Sequence, residues 1–246
     1  MLKYEYMKTI LITGSSRGIG KAIATLAHQK QYKVIIHGRT DSQALNDTLK
    51  QLQGSVRSFF DVADKAATLK AISALGPIDV LVNNAGIARN FVKDIAEVND
   101  DKALEEYKVN VLGTIHCIQA VLPAMLKNGS GSIINISSIK GYANLATLST
   151  LTYAPSKAGV MSVTKALAKS YPSVRFNVVA PGYVETDQVN DWNEETFDRI
   201  NKGTILGRIA KPVEVATLVM YLASDEASYI TGSDFLVDGG YSIKGK

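Results

Sequence analysis

Thr13-Gly14-Ser15-Ser16-Arg17-Gly18-Ile19-Gly20 follows the apolar run Thr9-Ile10-Leu11-Ile12 and opens a stretch with helical periodicity. Three spaced glycines between a strand and a helix are what a dinucleotide's phosphates require of a protein backbone. Gly14 permits the tight turn, Gly18 lets the main chain approach the ligand, and Gly20 allows the helix to pack close to the strand. The helix start then offers free N–H groups and a partial positive charge to a pyrophosphate. Ser16, Arg17 and Ile19 complete the expected lining of this turn.

Outward from the turn, short apolar runs alternate with amphipathic segments of ten or more residues, the pattern of βαβ units. Strands are expected at residues 9–13, 33–37, 56–60, 78–83, 132–137, 175–180 and 235–237. The first, fourth and fifth are almost continuously apolar, as in Ile78-Asp79-Val80-Leu81-Val82. Strands of that kind are buried on both faces, which is the condition of a parallel sheet covered by helices. The expected fold is α/β, a Rossmann-type doubly wound sheet of seven parallel strands with helices on both faces. With no internal repeat or linker-like tract, residues 1–246 read as a single domain. The interval after the sixth strand breaks the rhythm, carrying Asp187, Asn190, Asp191, Trp192, Glu194 and Glu195. Ligands sit beyond the carboxyl ends of parallel strands, so residues 187–211 are read as a substrate lid in preference to an ordinary surface helix pair.

The end of the second strand sets the choice of dinucleotide. An acidic residue there would bind a ribose 2′-hydroxyl and repel a 2′-phosphate. The chain instead reads Ile36-His37-Gly38-Arg39-Thr40, and Arg17 can reach the same side. Two guanidiniums suit a phosphate dianion through forked, charge-assisted bonds, so NADP is expected rather than NAD. Asp61 and Val62, ending the third strand, are candidates for the adenine edge.

Composition narrows the rest. A hydrophobic share of 46% against 20% charged residues predicts a sizeable core. The net charge of +4 is spread thinly, with no basic run to favour nucleic acid. Cys117 is the only cysteine, excluding an internal disulfide or a thiolate cluster, and it reads as a small core residue. His28, His37 and His116 lack metal-ligand spacing, so no metal site is expected. No apolar stretch reaches about 18 residues, so no membrane span is expected. The start, MLKYEYMKTILITG, runs into the first strand without a cleavable leader pattern, and a cytoplasmic location is expected.

Tyr153 and Lys157 lie four apart, which on a helix puts them on one face, one turn from each other. A tyrosine titrates near pH 10, and a neighbouring ammonium favours its phenolate by about 1.4 kcal/mol per unit of lowering. Such pairs on their own are usually surface neighbours. Here they accompany Ser138, at the end of the fifth strand, and Asn110, within a long helical pattern. Pro155 is tolerable because the helix is only beginning.

Together these segments resemble the short-chain dehydrogenase/reductase family. The matches run in order: Thr13-Gly14-xxx-Gly18-x-Gly20, Asn83-Asn84-Ala85-Gly86, Asn110, Ser138, Tyr153-Ala154-Pro155-Ser156-Lys157 and Pro181-Gly182. The closing stretch, with Tyr229-Ile230-Thr231-Gly232 and Val237-Asp238-Gly239-Gly240, is most similar to the 3-oxoacyl-carrier-protein reductases. The resemblance implies that Tyr153 exchanges the proton and that Lys157 tunes it and holds the nicotinamide ribose. It implies that Ser138 bonds the substrate oxygen and that Asn110 positions a relay water. Asn83, Asn84, Ala85 and Gly86 are then expected along the adenosine side. Val184 and Thr186 are expected to hold the nicotinamide carboxamide, with Pro181 and Gly182 also among the cofactor contacts. NADPH-dependent reduction of a carbonyl to a secondary alcohol, or the reverse, follows, with a 3-oxoacyl thioester as substrate. The alternatives are another ketone, a sugar or a hydroxy acid derivative, and a non-catalytic NADP-binding sensor or scaffold.

Two departures stand out. The uncharged run Asn144–Thr152, expected beside the substrate, makes the interval between Ser138 and Tyr153 longer than usual. Residues 168–175 look shortened where a basic residue would dock an acyl carrier protein, leaving Lys127 and Arg175 as substitutes. A homotetramer built on the long central helices is the assembly the resemblance implies.

Overall fold

In the computed structural model, which describes residues 7–189 and 192–244, seven parallel strands form one sheet. They are β1 (Thr9–Ile12), β2 (Lys33–Gly38), β3 (Val56–Phe59), β4 (Val80–Asn83), β5 (Ser132–Ile136), β6 (Arg175–Pro181) and β7 (Asp234–Val237), in the order β3-β2-β1-β4-β5-β6-β7. The expected strands are all present. The fourth starts later than the apolar run suggests, because the Asp79 carboxylate accepts the Thr9 N–H (2.7 Å).

Alternate residues along each strand feed two separate cores, which is why the inner strands read as unbroken apolar runs. Ile10, Ile12, Val80, Val82, Ile134 and Ile136 face one layer. That layer holds α1 (Gly18–Gln29), α2 (Gln43–Gln51) and α8 (Pro212–Ala223). Leu11, Leu81, Ile133 and Phe176 face the other, with α3 (Lys65–Ser73) and α5 (Gly113–Asn128). There α6 (Tyr153–Ser170) also packs, placing Met161 against Val178 and Ala180 of β6. β3 is an exposed edge, which explains why its sequence Val56-Arg57-Ser58-Phe59 never reads as a core strand.

Helical structure runs from Asp100 to Asn128 as α4 (Asp100–Tyr107), a π-helical turn (Lys108–Leu112) and α5. This stretch is long and apolar enough to cross a membrane by length and hydropathy, although the plain residue count does not suggest it. In the fold it is a central core helix, with Cys117, Val121 and Met125 buried against the sheet. Burial pushes the Cys117 thiol up to about 12, in keeping with its reading as a core residue.

The strand order reverses between β1 and β4, whose carboxyl ends open into a crevice. The glycine turn leaves β1 on one side of it, and the Asn83–Gly86 segment leaves β4 on the other. After β6, the chain passes through a short turn (Asp187–Val189) and α7 (Glu194–Gly203) before α8. Asn190 and Asp191 of the expected lid lie outside the described residues. The far end of this excursion is anchored, since the N–H groups of Ile205 and Leu206 both donate to Gly239 O (2.8 and 3.1 Å). An aromatic cluster of Tyr183, Trp192, Phe197 and Tyr241 packs edge-on beneath it.

Candidate active site

The glycine turn is shaped by backbone geometry that side chains would spoil. Gly14 and Gly18 hold φ of 65° and 55°, in the left-handed region that favours glycine. The helices α2, α3 and α4 are each capped by a side chain, from Ser42, Asp64 and Asn99. Among the described residues none caps α1, whose flanking residue is Arg17. Its first N–H groups therefore stay open to an anion, and a dinucleotide's pyrophosphate fits that donor set. Gly18 faces Thr186, so the turn and the segment after β6 close on the same space. Arg17 and Arg39 are exposed and form no ion pair among the described residues, which leaves both guanidiniums free for a phosphate.

Several residues expected to touch a dinucleotide also hold the loops together. The Asn84 side-chain amide donates to Thr13 O and Gly14 O (2.9 Å each), while Asn84 N and Ala85 N both donate to the Thr13 hydroxyl (3.0 Å). Asn84 thus ties the two sides of the crevice instead of lining it with a free amide. The Asn83 side chain is buried and donates to Asn135 Oδ1 (2.8 Å), which continues to Thr164 on α6. Val62 packs its side chain against Gly113 of α5, and its carbonyl accepts from His116 Nδ1 (2.9 Å). Asp61 bonds the N–H of Ala63 (2.9 Å). Ser16 O accepts the Thr48 hydroxyl (3.2 Å), and Ile19 packs against the first core. Gly182 N donates to Val237 O (2.9 Å), and Val184 pairs with Ala210, so the segment from Pro181 to Thr186 is braced from both sides.

A residue with no sequence signal organises the turn itself. His37, 2% exposed, accepts the Gly14 N–H at Nδ1 (3.1 Å) and donates from Nε2 to Phe60 O (3.0 Å). A carbonyl can only accept and an amide N–H can only donate, so the ring is neutral with its proton on Nε2. Burial holds its pKa down at about 4. The hydroxyl of buried Ser15 accepts His37 N (2.8 Å), adding a second link from the turn to β2.

The four chemistry-bearing residues come together. Lys157 is buried and donates to Ile136 O (3.1 Å), with its ammonium 5.8 Å from the centroid of the Tyr153 ring. A Cβ placed on Gly86 would meet both Lys157 Nζ and Asn110 Oδ1 at 3.1 Å, so glycine there is what lets the loop after β4 lie against them. Ser138 is buried, accepts Lys140 N (3.1 Å) and interacts with the Tyr153 hydroxyl. Asn110 lies in the π-helical turn; such wide turns frequently occur at functional sites. Its Oδ1 accepts Ile87 N (2.8 Å), and its Nδ2 donates to Ile87 O and to the Ser156 hydroxyl (2.9 Å each). Both amide protons are thereby used in bracing the loop to α6.

The electrostatics depart from expectation. Burial pushes Tyr153 up to about 12, Ser138 pulls against this, and the Glu106 carboxylate adds to the rise. The same burial lowers Lys157 to about 8. The lowering expected from the neighbouring cation is not among the causes: Ser138 alone pulls the phenol down, and burial disfavours the charged form of each side chain. Arg175, proposed from sequence as a docking cation, is instead spent on Leu222 O (2.8 Å) and Ser224 O (3.0 Å) at the end of α8. Lys127 stands exposed. The uncharged run before Tyr153 forms short helical turns at Ala143–Leu145 and Leu148–Thr150, with the Thr147, Ser149 and Thr150 hydroxyls bonding one another.

Comparison with known proteins follows the same outline. Residues 14–242 match a family model described as enoyl-(acyl carrier protein) reductase. The chain is 38% identical to the 3-oxoacyl-acyl-carrier-protein reductase of Thermotoga maritima, over 96% of this chain and 98% of that protein. A solved 3-oxoacyl-acyl-carrier-protein reductase from Brucella melitensis superposes with a TM-score of 0.89 at 32% identity, covering 96% of this chain and 91% of the other. The aldohexose dehydrogenase of Thermoplasma acidophilum gives a TM-score of 0.87 at 31% identity, covering 97% and 95%.

Proposed function

The chain belongs to the short-chain dehydrogenase/reductase family, a group of nicotinamide-dependent oxidoreductases, and on that premise we propose that it is an NADPH-dependent reductase of 3-oxoacyl thioesters. The observation that carries this reading is the convergence of Tyr153, Lys157, Ser138 and Gly86 at the crevice where the uncapped start of α1 opens. Bound there, NADPH supplies the hydride to the substrate carbonyl carbon. Its pyrophosphate would lie on the glycine turn, and its 2′-phosphate between Arg17 and Arg39.

Tyr153, a neutral phenol pushed up to about 12, keeps its proton until negative charge develops on the substrate oxygen, and then donates it. Ser138 holds that oxygen by a hydrogen bond, which strengthens as the charge grows. Lys157, at about 8, exchanges protons near neutral pH and can recharge the phenol. Asn110 fixes the loop after Gly86 to the helix that carries both groups. The likeness to the reductases of Thermotoga maritima and Brucella melitensis supports the thioester; an acyl carrier protein would deliver it, with exposed Lys127 a remaining docking cation. Exposed Leu104 and Tyr107 on α4, and Leu126 on α5, offer apolar surface that a homotetramer would cover.

A second reading, oxidation of a sugar, is favoured by the likeness to an aldohexose dehydrogenase. The hydroxyls of Thr147, Ser149 and Thr150 argue against it, being occupied with one another. Steady-state oxidation of NADPH with an acetoacetyl thioester, set against simple ketones and aldohexoses, separates the two. The thioester should be turned over at least about tenfold better in kcat/KM, and Tyr153→Phe should remove about 100- to 10,000-fold of that rate. No turnover of any thioester refutes the proposal.

A further inference from the structure

Glu106, the penultimate residue of α4, is a carboxylate with no exposed surface. Its Oε1 accepts two backbone N–H groups, from Arg89 (2.5 Å) and Asn90 (2.9 Å), and its Oε2 accepts the Thr152 hydroxyl (2.6 Å). The nearby Arg89 guanidinium gives it no counter-charge, being paired with Glu105 at 2.9 Å. A buried carboxylate that, among the described residues, is held by hydrogen bonds without an ion pair is an expensive choice at a helix position where an apolar side chain would pack. Its partners are therefore informative. Arg89 and Asn90 lie just beyond the loop that meets Lys157, and Thr152 immediately precedes Tyr153. One turn further on, Asn110 makes the matching link from Ile87 to Ser156. Two rungs, Glu106 and Asn110, thus clamp the loop after β4 to the first turn of α6, with Tyr153 between their attachment points. Thr152 gives up capping α6 to take part in the clamp.

We propose that Glu106 is a positioning residue for the reaction at Tyr153: by binding Arg89, Asn90 and Thr152 together it sets where the phenol stands relative to the loop bearing Gly86. This rests on the reading of Tyr153 as the proton donor. The charge has a second consequence, because the Glu106 carboxylate disfavours the Tyr153 phenolate. The other charged groups around it are Lys157 on α6 and the Arg89–Glu105 pair at the surface.

The test uses Glu106→Gln, Glu106→Val and Thr152→Val in the full-length protein. In Glu106→Gln the amide oxygen still accepts both N–H groups and the Thr152 hydroxyl can turn to accept, so only the charge is lost. That variant should keep kcat within about threefold, while the titration of Tyr153, followed by 13C-tyrosine NMR against Tyr153→Phe, moves down by about half a pKa unit or more. The alkaline limb of the reduction profile should move down with it. Glu106→Val should lower kcat by about tenfold or more while KM for NADPH stays within about threefold, the pattern of misplaced chemistry with binding intact. Thr152→Val should reproduce part of the loss, and the double variant should be no worse than Glu106→Val alone. Wild-type kcat in Glu106→Val or Thr152→Val, with only thermal stability lowered, overturns the proposal. If Glu106→Val does not fold, Thr152→Val and Glu106→Gln decide it. A wild-type protein inactive on every carbonyl would sink the proposed function, but the 13C-tyrosine resonance of Tyr153 would still test the role given to Glu106: a chemical shift unchanged from wild type in Glu106→Val and Thr152→Val would overturn it.

Discussion

Acidification should weaken the fold through His37, in a window set by its burial. The folded ring accepts the Gly14 N–H at Nδ1, so a proton there would set two N–H groups against each other. Its pKa falls from 6.5 to about 4 on folding. The unfolded chain therefore takes up a proton below about pH 6.5, whereas the folded chain resists until about pH 4. Between those limits the unfolded state binds more protons, so stability decreases as pH decreases. At about 1.4 kcal/mol per unit, the full window amounts to about 3 kcal/mol, against a total of about 5–15 kcal/mol for a typical domain. Urea unfolding of wild type and His37→Asn, measured from pH 7.5 to 4.5, isolates the effect, because other acid-titrating groups contribute equally to both. Asn can still accept from Gly14 but cannot be protonated. It loses the Phe60 contacts and so should start less stable at pH 7.5. The wild-type advantage should shrink by about 2–3 kcal/mol on reaching pH 4.5. A difference that stays constant across that range would refute the argument that the neutral ring latches the turn.

Two other substitutions probe the cofactor side. Gly20→Ala would put a methyl group 2.5 Å from Asn84 Nδ2 and closer still to the Gly14 carbonyl oxygen. Overpacking by about 1–3 kcal/mol, plus about 1 kcal/mol for each Asn84 bond lost, should lower Tm by about 5–15 °C, as calorimetry would record. An unchanged Tm would mean that the helix need not sit so close to the turn. Arg39→Asp removes a charge-assisted contact and adds repulsion, so the NADPH-to-NADH preference in kcat/KM should fall by about 30- to 100-fold. An unchanged preference would remove Arg39 from the phosphate site.

The sheet was legible because burial on two faces leaves a mark in single residues: Ile10-Leu11-Ile12 and Ile133-Ile134 are apolar at every step. Tyr153 and Lys157 were legible because a four-residue spacing on a helix is already a contact. Arg175 misled, since a surface-like arginine and one wrapped around the end of α8 look alike in sequence. The amides of Asn83 and Asn84 also serve the sheet and the turn, through partners that local spacing does not reveal.

By itself the chain of letters determined the order of elements, the location of the phosphate turn and the helix face bearing the phenol and the amine, all of which depend on neighbours a few positions apart. Tertiary structure alone decided that His37 latches Gly14, 23 positions earlier, and that Glu106 reaches Thr152, 46 positions later. It also decided the protonation of Tyr153 and Lys157. Those outcomes depend on how much water is excluded around a group and which distant donors surround it, and local sequence spacing carries neither.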